Sequence, residues 1–239
     1  MDSTAGLTAR TAALGEYFAL PAPDAGEWHE LATLFDDDVL ADFVDRTQRA
    51  IATASGCDPA QIPTRVAASS FQLGIAARLL SPAVGAGTCF TALPRLNGNS
   101  VVWQQSPQHS PKLAFRTPEW VPNPTPERAA EVISTSVVRT AIAPLNEKLA
   151  TVLSLSSQVS WGNVISAANG AVTVLAMSQP QHERAGRTLV RALLDIEPLH
   201  GTGEFSNGRF LRRSCCLFYQ APRSGLCGDC VLAVSGGSH

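Results

Sequence analysis

The sequence predicts an α+β fold: a mainly helical body, a small antiparallel β-sheet set into it, and a cysteine-rich carboxyl-terminal segment. Three observations carry this expectation. Apolar residues recur at steps of three and four through both halves of the chain. That period disappears between about residues 85 and 120, where short β-type runs replace it. Four of the six cysteines then fall within the last 25 residues.

Residues 8–80 read as three helical segments separated by proline or glycine breaks, the first at Pro21-Ala22-Pro23. Leu31, Leu34, Phe35, Leu40, Phe43, Val44 and Ile51 form one buried stripe, which Gly56 and Pro59 end. Asp36-Asp37-Asp38 stands where a helix would begin, where carboxylates accept orphan backbone N–H bonds and suit the dipole; the spacing of a calcium loop is absent. Strands are expected over 88–93, 100–104 and 112–116, with Asn97-Gly98-Asn99 as a hairpin turn, placing the inserted sheet at about 86–118. A proline cluster leads into a helix over 127–155, which Pro144 should kink, and further helices follow over 159–177 and 181–195. The domain reading is a body at 1–199 and a cysteine segment at 200–239.

Composition narrows the function. A chain of 239 residues with 45% hydrophobic and 16% charged residues can bury a full core without disulfides. Eighteen basic against 20 acidic residues give a net charge of −2, which excludes a general electrostatic grip on nucleic acid. The most apolar stretch, 164–177, is interrupted by polar residues and too short to span a bilayer. No basic region followed by an apolar run opens the chain, so the expected location is the cytoplasm, with peripheral attachment to the inner face of the membrane left open.

The chemistry lies in Cys215-Cys216, a gap of ten residues, and Cys227-Gly228-Asp229-Cys230. Thiolates this close repel one another unless a cation shares them, and four match either a zinc site or a 2Fe-2S cluster. Adjacent cysteines do not make the usual zinc knuckle, and a two-iron cluster has the wider footprint, but spacing alone leaves both open. Between Phe205 and Gly228 there is no acidic residue and there are four arginines, Arg209, Arg212, Arg213 and Arg223, which suit an anionic group. Gly225 and Gly228 are expected to let the backbone turn its N–H groups toward sulfur. Cys57 and Cys89 read as buried small hydrophobes, and the five histidines show no ligand pairing.

The string Arg212-Arg213-Ser214-Cys215-Cys216, then Tyr219, Pro222 and Cys227-Gly228-Asp229-Cys230, closely resembles the carboxyl terminus of the FhuF-type ferric-siderophore reductases. Trp161-Gly162-Asn163 is similar to a Trp-x-Asn element that precedes the cluster region in that family. The resemblance implies a 2Fe-2S cluster with Cys215, Cys216, Cys227 and Cys230 as ligands. It also implies reductive release of iron from hydroxamate-type siderophores. Arg212, Arg213, Tyr219, Trp161 and Asn163 are the candidate substrate or supporting residues. Gly85-Ala86-Gly87 and Gly201-Thr202-Gly203 each lack the third glycine of a dinucleotide fingerprint and read as loops. The electron is therefore expected from an external donor such as a ferredoxin or flavin reductase. The alternatives are a zinc-stabilised interaction protein and a 2Fe-2S electron carrier or iron sensor.

Overall fold

Two helices rich in alanine, glycine and serine, at residues 64–89 and 157–178, pack against each other at the centre of the molecule. Small side chains let their backbones approach, and both are buried over most of their circumference, as helices without a polar face must be. The computed structural model describes residues 3–122 and 125–235.

In chain order, α1 (Thr4–Ala12) leads to β1 (His29–Glu30) and α2 (Asp37–Ser55), which ends at Gly56 in the left-handed conformation, φ 58°. Then come the central α3 (Thr64–Cys89) and four strands, β2 (Ala92–Arg95), β3 (Val101–Gln104), β4 (Lys112–Phe115) and β5 (Glu119–Pro122). Helix α4 (Pro126–Ile133) runs through π-helical turns at Ser134–Ile142 into α5 (Ala143–Leu153). The second central helix, α6 (Ser157–Ser178), is followed by α7 (Glu183–Leu194). A hairpin of β6 (Gly203–Ser206) and β7 (Arg209–Arg212) precedes the cysteines, and a short α8 (Leu232–Ser235) follows them. Helices α2, α4, α5 and α7 pack on α3, and α5 and α7 also pack on α6. Among the described residues no helix is long and apolar enough to cross a membrane.

The mainly helical α+β class stands, with several local corrections. Residues 85–87 are not a loop but lie within the last turn and a half of α3. Gly85 is there because a Cβ would lie 2.5 Å from Phe18 Cδ1, so the glycine admits the aromatic ring. The strand expected at 88–93 accordingly starts later, at Ala92. The inserted β-structure is two small antiparallel sheets: β1-β3-β4, and β2 paired with β5. Asn97 does make a turn, its side chain accepting from the N–H groups of Asn99 and Ser100. That turn joins strands of different sheets, because β2 pairs with the distant β5. The kink expected at Pro144 takes the form of widened turns just before it, which absorb the missing N–H. Asp36 flanks the start of α2 as its N-cap without a side-chain capping bond, and Asp37 instead pairs with Lys148 at 2.5 Å.

Candidate metal centre

The β6-β7 hairpin turns at Asn207-Gly208, both with positive φ (50° and 78°), and packs β7 onto α6 and β6 onto α7. It delivers Arg212 to the buried face of α6. A helix in the centre of a protein carries polar residues only where something pairs with them. On α6 the buried ones are Ser160, Asn163 and Asn169, with Ser166 half-buried; Ser160 Oγ donates to the Ser156 carbonyl, and the other three are bonded to the cysteine segment or to its support.

Arg212 is 1% exposed. Its Nη2 donates to Asn163 Oδ1 at 2.6 Å and to the Val159 carbonyl at 3.3 Å. Asn163 in turn donates through Nδ2 to Ser69 of α3, to Oγ at 2.9 Å and to the carbonyl at 3.1 Å. Ser69 Oγ then donates to the Cys216 carbonyl at 2.8 Å. One continuous chain of bonds thus links β7, α6, α3 and the paired cysteines. Gly162 is required for it: a Cβ there would lie 2.1 Å from Ser214 Oγ and 3.0 Å from Arg212 Nη2. The Trp161-Gly162-Asn163 element is therefore explained by its second and third residues, while Trp161 is half-buried against the core.

A second clamp holds the other cysteine pair. Asp229 accepts from Ser166 Oγ at 2.7 Å and from Asn169 Nδ2 at 3.2 Å, and its carbonyl accepts from the Arg212 N–H at 3.1 Å. Arg187 of α7 donates to Asn169 Oδ1, fixing which way that amide faces. The Cys230 N–H closes a turn on the Cys227 carbonyl at 3.1 Å. Between the two pairs, residues 217–224 lie over the end of α2 and the start of α3. Arg223 donates to the Ser55 carbonyl, Arg65 to Gln220, and Leu217 and Ala221 pack near Ala52, Ile62 and Val66.

These clamps bring the four thiols into one patch. Cys216 and Cys230 are buried, and Cys215 and Cys227 are half-buried. The Cys227 thiol donates toward the Cys216 sulfur, which lowers the Cys216 pKa to about 6 and raises that of Cys227. Burial raises Cys215, against the Leu217 N–H, which donates to its sulfur at 3.3 Å. Cys215 and Cys227 both feel Cys230, and the Arg212 charge acts on Cys215, Cys216 and Cys227. Gly225 and Gly228 do not adopt positive φ; the left-handed residues here are Leu217 (φ 70°) and Arg223 (φ 59°).

Arg212 provides the test of whether an anionic metal group fits. Its hydrogen-bond acceptors are neutral, its Nε is buried without a partner, and no carboxylate pairs with it among the described residues. A buried guanidinium without countercharge is costly; the Asp229 carboxylate of the same segment is bonded to Ser166 and Asn169 instead, and the Arg212 charge acts on the sulfurs of Cys215, Cys216 and Cys227. Among the described residues no three His, Cys, Asp or Glu side chains close around a single metal-ion position. The fit therefore rests on donor chemistry and charge, and on both counts the residues suit a tetrathiolate group with net negative charge.

Residues 212–232 match the FhuF 2Fe-2S C-terminal domain. The matched stretch starts at the buried arginine, spans all four thiols and Asp229, and indicates a 2Fe-2S cluster as the cofactor. No curated protein was found to match the chain.

The remaining candidates of the matched segment lie further out. Arg213 is exposed and paired with Glu204 at 2.9 Å. Tyr219 is exposed, its hydroxyl accepting from Gln220 Nε2. Cys57 and Cys89 are half-buried rather than buried; burial pushes the Cys89 thiol up to about 11. The Asp229 clamp and Ser69 were not anticipated from sequence. The only local hint was the acidic residue inside the Cys-x-x-Cys turn.

Proposed function

We propose that this protein is a ferric-siderophore reductase, in which Cys215, Cys216, Cys227 and Cys230 hold a 2Fe-2S cluster and one electron passes to Fe(III) in a hydroxamate-type siderophore. Residues 200–239 form the cluster segment, and residues 1–199 the body that supports it. The observation that carries the reading is the buried Arg212, without a carboxylate partner among the described residues and acting on the sulfurs of Cys215, Cys216 and Cys227, in a segment that matches the FhuF 2Fe-2S C-terminal domain.

When bound, a 2Fe-2S group supplies one reversible electron. Arg212 supplies fixed positive charge to the thiolates and stabilises each added negative charge. Asn163 and Ser69 hold that guanidinium and the Cys216 backbone in one register, while Ser166 and Asn169 hold Asp229 and so the Cys227–Cys230 turn. Fe(III) is hard and highly charged, and one electron weakens its bonds to hydroxamate oxygens, so iron leaves as Fe(II). The electron enters from an external reduced partner, a ferredoxin or a flavin reductase. The cytoplasm, or the inner face of its membrane, is where imported chelates meet such donors.

The test is to reduce anaerobically purified protein with dithionite, remove the excess, and add ferric trihydroxamate with an Fe(II) trap. One Fe(II) trapped per reduced cluster, with return of the oxidised spectrum, is expected. A reduced cluster that persists beside the chelate would leave an electron carrier or sensor, and colourless protein holding zinc would leave an interaction module.

A further inference from the structure

Between α2 and α3 lies a cavity of about 560 Å³, within the range that holds small-molecule ligands. It exists because the two helices face each other there through small residues, Ala50, Ala54 and Ser55 on α2 and Ser70, Gly74 and Ala77 on α3, whose side chains cannot fill the gap. Phe218, from the cysteine segment, lines its wall. The backbone N–H of the same Phe218 faces the Cys216 sulfur. A single residue therefore has its ring on the cavity and its amide on a thiolate.

Charge defines what the cavity accepts. No carboxylate lines it, and Arg78 is its one permanently charged lining residue, exposed and without an ion-pair partner among the described residues. We propose that this cavity is the acceptor site and takes a ferric chelate of zero or low net charge with apolar arms. The assignment rests on the reductase reading and adds to it a place and a charge rule. A neutral chelate enters an apolar cavity without uncompensated charge. When one electron arrives from the reduced cluster, Fe(III) becomes Fe(II), the cluster is oxidised, and the chelate gains one negative charge, which Arg78 meets. A triply anionic chelate would bring three charges against one guanidinium and leave two uncompensated in apolar surroundings.

Gallium(III) chelates separate binding from electron transfer, since the ion matches Fe(III) in charge and is not reduced. Cluster-loaded protein is titrated by calorimetry with a neutral gallium trihydroxamate and with a trianionic gallium tris-catecholate. Two variants fill the cavity: Gly74→Trp, at a position where a Cβ meets nothing within 4 Å, and Ala54→Phe. The trihydroxamate is expected to bind the wild type at least tenfold more tightly than the catecholate. Both filling variants should weaken it by at least about tenfold while keeping the wild-type cluster spectrum. Arg78→Gln should slow reduction of the ferric trihydroxamate by prereduced protein more than it weakens binding of the gallium chelate.

Undiminished gallium-chelate binding in both filling variants, absence of binding to the wild type, or equal affinity for the catecholate would each overturn the assignment. Reduction of ferric chelate at wild-type rate in Gly74→Trp would also overturn it and leave the reductase reading standing. Gallium-chelate binding that Gly74→Trp abolishes, in a protein that reduces no ferric chelate, would sink the reductase reading and keep the cavity as a chelate site.

Discussion

Replacing Arg212 by methionine tests the electrostatic argument at its source. The methionine fills a comparable apolar volume but removes the guanidinium, so Asn163 Oδ1 and the Val159 carbonyl each lose a donor. A buried acceptor left unpaired costs about 1–3 kcal/mol. Removing a buried charge that has no carboxylate partner offsets part of that in the cluster-free protein, so its stability should fall by no more than about 2 kcal/mol. The loaded protein should respond more strongly. At an effective dielectric of about 20, a unit charge within about 10 Å of a guanidinium interacts with it by on the order of 2 kcal/mol. For one electron this is on the order of 100 mV. Spectroelectrochemical titration of the variant should therefore show a midpoint on the order of 100 mV more negative than the wild type, and Arg212→Lys should shift less because it keeps the charge. An unchanged or more positive midpoint in Arg212→Met, at full cluster occupancy, would refute the role given to this arginine.

Three further outcomes follow from the same geometry. Gly162→Ala places a methyl group 2.1 Å from Ser214 Oγ, which must rotate away and give up its bond to the Gln158 carbonyl; destabilisation of about 1–3 kcal/mol by chemical denaturation and a lower iron content are expected, and wild-type values for both would contradict the packing argument. Asp229→Ala leaves Ser166 and Asn169 without their acceptor, so cluster loss under a competing chelator should quicken while the far-ultraviolet spectrum stays unchanged. In the cluster-free protein, Cys216 has its pKa lowered below the ordinary thiol value of 9.0, so folding favours its thiolate. The stability it contributes is complete above about pH 9 and is lost as pH falls through about 6. A thiolate absorbance step near pH 6 should appear, vanish in Cys216→Ser, and move upward in Cys227→Ala, which removes the hydrogen-bond donor.

Much of this was legible along the chain because it is local. The stripe from Leu40 to Ile51, the apolar run 164–177 and the paired cysteines each declare themselves within a few residues, and they correspond to α2, α6 and the thiol patch. What escaped depends on partners far apart in sequence. Gly85 is a packing glycine inside α3, where Phe18 leaves no room for a Cβ, and β5 forms because β2 is there to receive it. Asp229 reaches Ser166 and Asn169 across some 60 residues, and Ser69 reaches Cys216 across 147. The cavity between α2 and α3 comes from small residues on two helices, invisible in either one alone. The β6-β7 hairpin is the exception: Asn207-Gly208 is a local turn signal that marks it in the sequence.

Iron and acid-labile sulfide analysis of anaerobically prepared protein, beside single Cys→Ser variants at 215, 216, 227 and 230, tests the central claim most directly. Two irons and two sulfides per chain in the wild type are expected, with loss of the cluster in each of the four variants and its retention in Cys57→Ser and Cys89→Ser. Zinc in place of iron, or a variant at any of the four positions that keeps a wild-type cluster spectrum, would contradict the assignment.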